Sequence, residues 1–546
     1  MDQHLLREMS ISRRHSACLM LVIAAFIAGP LAAKNVQDES SALFDGGKIL
    51  RLKIEITPEE VTRIKADNRP YVRCTVIEND KVTYNNVGVK LKGAAGSFRE
   101  FDDRPALTLN SDKFSKKQSF HGLDKFHLNN SVQDESYLNE LICAEIFRTA
   151  GYPAPRVTHA RVWLNGRDVG LYVLKEGFDS KFLKRHFPRH DGNLYDGGFV
   201  QDIDASLEKD EGKGSDDRAD LYALALAARD PDPEKRWALV NEYVDIDTFV
   251  TFMALERMTC HWDGYSMNMN NYRVYFDPAR GGKVVFLPHG MDQMFGDPGM
   301  GLFDQQNPLI SSVVLQSNEG WKAYRKRVHD LLPIFSPADR WLSRVDDVAK
   351  RLQPVIKEIS EEAAKSYLER IKELKEHIAQ RADNLKEQDQ QSDPEFLAFD
   401  DKGIAGLTDW YTASESDGVK HEEVDLPGNK KGYSIDAGTN GQCVASWRRK
   451  VLLGPGVYQL NARCQTKGVV PLDSNDNSAA GIRVSHSERN SKLLGTATST
   501  LLAFGFKVVE DRREVELVLE LKARRGKVIF EADTLVLVCR TKGRAK

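Results

Sequence analysis

The hydrophobic pattern changes its period once along this chain, and this change constrains the fold more than any other feature. Up to about residue 386, strand-like alternation is mixed with helical spacing. After the polar stretch Gln388–Glu395, the apolar residues alternate with period two. Period two marks half-buried strands, whereas a period of 3.6 marks amphipathic helices. We therefore predict an α+β protein with a mixed domain at residues 45–390 and an all-β sandwich, jelly-roll-like, at 396–546.

The composition is that of a folded, globular chain. Of the 546 residues, 41% are hydrophobic and 29% are charged, which excludes wholesale disorder and a polytopic membrane protein. The 77 Lys and Arg residues are balanced by 80 Asp and Glu residues. No basic excess is left to neutralise phosphates, so we predict no nucleic-acid partner.

Residues 1–33 have the pattern of a secretory signal peptide. Arg13 and Arg14 precede the apolar run Ala17–Ala33, which ends in small residues. A retained membrane anchor is the alternative, but about 16 apolar residues interrupted by Pro30 are short of the roughly 20 that a span needs. We expect cleavage and export to the periplasm, the cell envelope or the extracellular space.

Local patterns predict individual elements on both sides of the boundary. Residues 136–151 have helical spacing, with Ser136 as the N-cap and Gly151 as the stop. Asn165-Gly166 predicts a hairpin turn, and so does Arg525-Gly526 near the end of the chain. Residues 201–219 are charged and contain glycine, which predicts a solvated loop.

The segment HWDGYSMNMNNY, which begins at His261, contains the spacing H-x-D-x-x-x-x-N. Protein kinases use this spacing in the catalytic loop, where the Asp accepts the hydroxyl proton and the Asn binds a second magnesium ion. Asp263 and His261 are therefore catalytic candidates, and the amide ligand is one of Asn268, Asn270 and Asn271. The alternative is that these side chains cap turns, which is their commonest role.

A second carboxylate and a cation are the other groups that a kinase-like site requires. Asp292 follows the buried-strand pattern GKVVFLP, and Mg²⁺ prefers one or two carboxylates together with substrate phosphates. Taken alone, an Asp at such a place is more often a turn residue. The segment VKLKGAAGSF places Lys92 before a glycine-containing loop, but it matches no standard phosphate loop. Glu140, in the predicted helix, is either the partner of a phosphate-binding lysine or a surface charge.

In combination, these segments resemble the spore-coat protein H (CotH) kinase family, secreted or envelope-associated proteins with an atypical protein-kinase-like fold. The matching features follow one another from about Val87 to Phe295: KG-x₃-S, FHGLDKFHLNN, SYLNELICAEIF, GYPAPR, WLNGRDVGLYVLKEGFD, GNLYD, HWDGYSMNMNNY and FLPHGMDQMFG. The resemblance implies phosphorylation of protein Ser/Thr hydroxyls with ATP and Mg²⁺, with Mn²⁺ as the alternative metal.

The resemblance also implies site residues. It puts the catalytic Asp at Asp263, the loop amide at Asn268 or Asn271, and the second Asp of the family's P-W-D-x-D pattern at Asp292. In this chain His289 replaces the Trp of that pattern, and Gly replaces its first Asp.

The phosphate-binding cation is less well defined. Relatives carry a Lys-rich strand after the G-x-S segment, whereas this chain has RPALTLNSDKF. The cation is therefore Lys92, Arg104 or Lys113.

Three functions fit these patterns. The first is an exported protein kinase, with a cell-surface glycan or polymer as the candidate ligand of the C-terminal domain. The second is a catalytically inactive envelope protein that uses the kinase-like fold and the sandwich as interaction surfaces. The third is a metal-assisted hydrolase that uses His261, Asp263 and Asp292.

Overall fold

A closed barrel of seven strands begins the part of the chain that the computed structural model describes, which is residues 38–304, 306–472, 478–488 and 492–540. The predicted signal peptide, residues 1–33, lies outside these residues. The order around the barrel is β1-β2-β3-β4-β5-β7-β6, closed by parallel pairing of β1 with β6. The strands are β1 (Leu50–Glu55), β2 (Val72–Glu78), β3 (Val82–Lys92), β4 (Ala106–Asn110), β5 (Lys125–Asn129), β6 (Val157–Leu164) and β7 (Arg167–Glu176).

The barrel separates apolar from polar side chains strand by strand. Successive side chains of a strand point to opposite faces. In β3, Val89 and Leu91 belong to the apolar core of the barrel, so Lys90 and Lys92 lie on its outer face. The same alternation in β4, β5 and β7 gives the barrel a row of polar side chains on its outside.

Three helices accompany the barrel: α1 (Ser41–Phe44), α2 (Pro58–Ile64) and α3 (Asn139–Thr149). The predicted start of α3 was wrong, because the helix begins three residues after Ser136. The carboxylate of Asp134 accepts the backbone N–H groups of both Ser136 and Asn139, each at 3.0 Å, and holds the preceding turn. The predicted end is confirmed, since Gly151 follows the helix with a φ of +75°.

The hairpin between β6 and β7 also follows the prediction. Leu164 pairs with Arg167, and the intervening Asn165 and Gly166 have φ values of +49° and +77°. Two consecutive positive φ angles define the tight turn that suits the strand twist, and Asn-Gly adopts them at the least cost.

A helical region with a small sheet follows the barrel. The sheet has the order β11-β10-β8-β9, with strands β8 (Leu194–Asp196), β9 (Glu208–Glu211), β10 (Tyr272–Asp277) and β11 (Lys283–Pro288). The helices are α4 (Ser180–His186), α5 (Ala219–Ala228), α6 (Pro233–Tyr243), α7 (Ile246–Met258), α8 (Tyr265–Asn268), α9 (Leu309–Gln316), α10 (Asn318–Phe335), α11 (Asp339–Lys357) and α12 (Glu361–Asp389). Helix α7 is buried and packs on β11, where the rings of Phe249 and Phe286 lie 4.9 Å apart. No helix among the described residues has the length and apolar character to cross a membrane.

Strand β9 was not predicted, because it lies within residues 201–219, which the sequence assigned to a loop. The strand pairs with β8 at the edge of the sheet and carries only charged residues. An edge strand without an apolar face has no hydrophobic alternation to reveal it. It matters for the site because it carries Asp210.

The C-terminal region is an antiparallel network of ten strands. Its main path is β12-β21-β17-β20-β15-β14, while β13 pairs with β16, β16 and β18 pair with β20, and β19 pairs with β17. The strands are β12 (Ile404–Gly406), β13 (Tyr411–Ser414), β14 (Lys420–Leu426), β15 (Lys430–Asp436), β16 (Cys443–Leu453), β17 (Gly456–Pro471), β18 (Ala479–Val484), β19 (Gly495–Val508), β20 (Arg513–Glu531) and β21 (Val536–Cys539). The α+β prediction is confirmed.

The predicted turn at Arg525-Gly526 was wrong, because β20 continues through it. Gly526 has a φ of +112°, and a Cβ there would lie 2.6 Å from the Cα of Val469. The pairing of β17 with β20 shifts register beside Arg525. The glycine therefore allows a bulge and a close backbone approach within one long strand.

The junction between the two regions is a packed contact. Gln388, predicted as linker, belongs to α12 and is buried, with its amide oxygen accepting the N–H of Leu302 at 2.7 Å. The guanidinium of Arg512 stacks over Trp321 at 4.4 Å from the ring centre. Residues from Glu39 onward form one compact unit. The domain limits 45–390 and 396–546 stay a prediction.

Candidate active site

A cavity of about 890 Å³ lies between the outer face of the barrel and the loops that follow α7 and β11. Its volume is within the range of small-molecule sites. The barrel contributes polar side chains of β3, β4, β5 and β7, which are Lys90, Lys92, Thr108, Lys125, His127, Asn129 and Lys175. The opposite wall carries His261, Asp263, Asn268, Asn270, Asn271, Arg273, His289 and Asp292.

A buried ion pair joins the barrel to α3 beside this cavity, and its lysine lines the cavity wall. Lys175 of β7 donates to Glu140 of α3, and each side chain is only 1% exposed. Asn129 of β5 donates to the other oxygen of Glu140 and accepts from Nζ of Lys92 at 2.5 Å. Two cations and one buried carboxylate are thus fixed next to one another.

This network shifts the pKa values of its members. Burial alone would raise the pKa of Glu140, but Lys175 and Lys92 outweigh it and hold that pKa below its usual value. Burial, followed by repulsion from Lys175, lowers the pKa of Lys92 to about 8. The network therefore holds excess positive charge next to the cavity, which is the charge that an anionic group requires.

Asp263 is held by the three asparagines that follow it. Asn268 donates to Oδ1 at 2.6 Å, and Asn270 and Asn271 donate to Oδ2 at 3.0 and 2.8 Å. The carboxylate is half-buried and faces the cavity with a fixed orientation. The structure thus brings Asp263 and all three candidate amides into one cluster.

The loop itself is braced from α7. The buried Glu256 accepts the backbone N–H groups of Tyr265 and Ser266, at 3.0 and 2.9 Å, where α8 begins. Burial raises its pKa to about 7. Gly264 allows this contact, because a Cβ there would lie 2.5 Å from Oε1 of Glu256. The sequence did not reveal this brace, which depends on a residue seven positions before Asp263.

His261 links the loop to the segment after β11. Its Nε2 donates to the carbonyl oxygen of His289 at 3.0 Å, and burial lowers its pKa to about 4. The ring of His289 contacts Lys175 through Nδ1 at 3.2 Å. His261 thus joins the loop after α7 to the segment after β11 within one wall of the cavity, and its lowered pKa keeps it neutral at physiological pH.

Asp292 lies in the same cavity, on the segment that β11 delivers. Asn139 at the start of α3 donates to its backbone oxygen at 3.0 Å. Burial, and then repulsion from Glu140, raises the pKa of its carboxyl group to about 6.

The residues present fit a magnesium ion that is shared with substrate. Asp292 supplies a carboxylate, and the loop asparagines supply amide oxygens, both of which are hard oxygen ligands. Among the described residues no group of three His, Cys, Asp or Glu side chains converges on one point.

Of the three cations predicted for phosphate binding, the structure places Lys92 in this cavity and the other two elsewhere. Arg104 donates to the hydroxyl of Tyr137 at 3.0 Å and lines a different cavity. Lys113 lies over the ring of Tyr71, 5.1 Å from its centre. Arg104 and Lys113 both belong to the stretch RPALTLNSDKF. Within this stretch, only residues of β4 line the first cavity.

Sequence reasoning missed Lys175, which is the partner of Glu140. One signal was available, since Leu171 and Val173 are apolar and Lys175 continues their face of β7. A lysine on a packed face requires a buried partner. The partner itself is 35 positions away, and no local pattern identifies it.

Gly290, where the family pattern has an Asp, is required by the backbone. Its φ is +55°, and a Cβ there would lie 2.1 Å from Oδ1 of Asn271. We expect Gly290→Ala to lower the free energy of unfolding by about 2 kcal/mol, through backbone strain and this clash. Gly281→Ala is the matched control, because its φ is +69° with no atom within 4 Å. Equal losses in urea unfolding would contradict the clash.

Comparison with known proteins identifies a family for the part of the chain that forms this cavity. The model of the family described as "CotH kinase protein" matches residues 89–385, which is more than half of the chain. This range begins within β3 of the barrel and ends within α12, the last helix of the helical region.

Curated relatives come from a fungus and a bacterium. The chain is 26% identical over 201 residues to "Invasin CotH7" of Rhizopus delemar, covering 35% of this chain and 33% of the relative. It is 21% identical over 269 residues to "Inner spore coat protein H" of Bacillus subtilis, covering 44% of this chain and 72% of the relative. The chain spans about a third of the length of the fungal relatives.

Among solved structures, TmCBM61 in complex with β-1,4-galactotriose matches 24% of this chain and 89% of its own length, at 12% identity. Its TM-score of 0.18 is too low to support an argument about fold or ligand.

Proposed function

Because this chain belongs to the CotH kinase protein family, we propose that it transfers the γ-phosphoryl group of ATP to Ser or Thr hydroxyls of a protein. The observation that carries the proposal is the meeting of three groups in one cavity. These are the Lys175–Glu140 pair, the amide-held Asp263 and the carboxylate of Asp292. Phosphoryl transfer requires a cation on the phosphates, a group that orients the acceptor and a metal-binding carboxylate.

In the proposed reaction, Asp263 accepts the proton of the acceptor hydroxyl as the oxygen attacks phosphorus in line. The amides of Asn268, Asn270 and Asn271 fix the carboxylate before substrate arrives, so little reorganisation is needed. Lys175 and Lys92 place positive charge next to the phosphates as negative charge shifts to the leaving group.

Asp292 and one loop asparagine would hold Mg²⁺, which supplies charge neutralisation between the phosphates. His261 is a positioning residue in this scheme rather than a proton acceptor. Burial lowers the pKa of its ring to about 4, which makes it a weak proton acceptor, and its Nε2 donates to the backbone of the segment that carries Asp292.

The proposal includes an exported protein, on the sequence pattern of residues 1–33. The names of the relatives, an invasin and a spore coat protein, agree with a surface location. A protein with Ser or Thr acceptors is the proposed partner. The sequence also predicts that the C-terminal network is a jelly-roll sandwich and that it binds a cell-surface glycan or polymer. Both statements stay predictions.

The rival function is a catalytically inactive envelope protein. The replacement of the pattern's Trp by His289 and of its first Asp by Gly290 favours it. The two functions are separated by incubating the full chain with radiolabelled ATP and Mg²⁺ or Mn²⁺. Incorporation of label into the chain or an added protein acceptor supports the kinase, and its absence with both metals supports the rival.

A substitution at Asp292 tests the metal assignment. Asp292→Asn keeps the shape of the side chain but removes its charge, so we expect the affinity for Mg-ATP to fall by about tenfold or more. Calorimetry with the full chain measures this. Asp297→Asn is the control, because Asp297 lies in a neighbouring exposed turn and accepts the N–H of Gly299. Equal affinity of Asp292→Asn and the unchanged chain would refute the assignment.

A further inference from the structure

A second cavity, of about 600 Å³, lies on a different part of the outer barrel face. Its walls come from β6 and β7, from the segment that precedes α3, and from the end of α11 with the start of α12. Among the described residues it shares no lining residue with the first cavity. Its volume is sufficient for a small organic molecule.

The floor of this cavity contains a buried guanidinium that is only partly paired. Arg161 lies in β6 between Ala160 and Val162, which belong to the barrel core, so its side chain is on the outer face. The side chain is 3% exposed and pairs with Asp168 through Nη2. Its Nε and Nη1 are buried without a hydrogen-bond partner among the described residues. A buried charged donor without a partner costs free energy, which a bound acceptor would recover.

Two further hydrogen-bond donors that line the same cavity also lack a partner among the described residues. Nη2 of Arg104 donates to the hydroxyl of Tyr137, but its Nε is buried and unpartnered among the described residues. The hydroxyl of Tyr367 on α12 is likewise buried without a partner there. Two guanidinium groups and a phenol on one cavity are donors that suit a carboxylate or phosphate.

The remaining walls of the cavity indicate the chemical character of the rest of the ligand. Val169, Ile356 and Ala363 give the cavity an apolar side. Two carboxylates are also present, but the side chain of Asp168 is 42% exposed and already paired, and that of Glu135 is 70% exposed and paired with Arg370. The buried charge is therefore positive, and the acidic groups lie nearer to solvent.

We propose that this cavity binds a small organic anion, in which a phosphate or carboxylate meets Arg104, Arg161 and Tyr367 and an apolar body lies against α11 and α12. The segment before α3 separates this site from the first cavity. Asn130 and Gln133 line the first cavity, whereas Ser131 and Tyr137 line the second. A bound anion thus contacts the segment that leads into the helix of Glu140.

Calorimetry of the full chain with phenyl phosphate and with benzoate tests the site. We expect saturable binding of at least one probe, and the tighter probe identifies the preferred anionic group. Arg161→Met and Arg104→Met should each weaken binding about tenfold or more, and Tyr367→Phe about fivefold, because each removes a hydrogen bond to an ion. Lys372→Gln, a cation of α12 whose side chain is 80% exposed, should leave the affinity unchanged.

Two results would overturn the proposal. One is the absence of saturable binding of either probe. The other is binding that Lys92→Met abolishes while Tyr367→Phe leaves it intact, since the probe would then occupy the first cavity. Tyr367→Phe retains the shape of the side chain, so this variant still tests the site if the arginine variants do not fold. None of these measurements uses ATP, so they do not depend on the proposed kinase activity.

Discussion

Lys175→Met should lower the free energy of unfolding by about 3 kcal/mol, because it leaves the buried carboxylate of Glu140 without its main partner. Asn129 and the cation of Lys92 remain next to Glu140 in this variant. The loss of unfolding free energy should therefore lie at the low end of the range for a broken buried ion pair. The same change removes a cation from the first cavity. We therefore also expect the affinity for Mg-ATP to fall by about a hundredfold.

The double variant separates the pair from the loss of one side chain. In Lys175→Met with Glu140→Gln, neither member of the pair carries a charge, and we expect part of the lost stability to return. Urea unfolding of both single variants and the double variant gives the coupling energy. Lys53→Met is the control, since its pair with Asp80 is exposed and its loss should cost less than about 1 kcal/mol. Strictly additive losses at Lys175 and Glu140 would contradict an energetic pair.

The contrast between Asp263 and Lys175 shows what the sequence can reveal about this site. Asp263 and the three asparagines that contact it lie within eight positions of one another, so the spacing alone indicated that they could meet. Lys175 and Glu140 meet only because β7 and α3 pack together across the barrel wall. A pair of that kind depends on tertiary structure, and the pattern around either residue does not identify its partner.

The fold follows the same rule. Elements set by local chemistry, such as the Asn165-Gly166 turn and the stop at Gly151, were predicted correctly. Strand β9 has no apolar face, and the bulge at Gly526 depends on the neighbouring strand β17, so neither could be predicted from its own residues. Gln388 looks like linker in sequence but is buried because its amide satisfies backbone groups of another segment.

Asp263→Asn should abolish phosphoryl transfer while it leaves the affinity for Mg-ATP within a few-fold. In the proposed reaction its carboxylate meets the acceptor hydroxyl, whereas Lys175, Lys92 and Asp292 hold the nucleotide. Loss of a general base reduces turnover by about 10²- to 10⁴-fold. Loss of kcat without loss of nucleotide affinity is the signature of an interaction made mainly in the transition state.

The variant also changes the loop, and the melting temperature measures this effect. In Asp263→Asn the new amide group would face the donors of Asn268, Asn270 and Asn271, so we expect a modest loss of stability. A fall in kcat far larger than this loss explains would support the role of the base. The inactive-protein alternative instead predicts no turnover before or after the change, and only the melting temperature would fall.

One further outcome would reassign Asp263. If Asp263→Asn weakens Mg-ATP binding as much as Asp292→Asn does, Asp263 binds the metal and is not the base. The asparagines would then orient a metal ligand, and the proton acceptor would have to be another group of the cavity. His261 is a poor candidate for that role, because its Nε2 donates to the backbone oxygen of His289 and burial lowers the pKa of its ring to about 4. Measuring kcat, nucleotide affinity and melting temperature on the same two variants distinguishes a base, a metal ligand and a purely structural carboxylate.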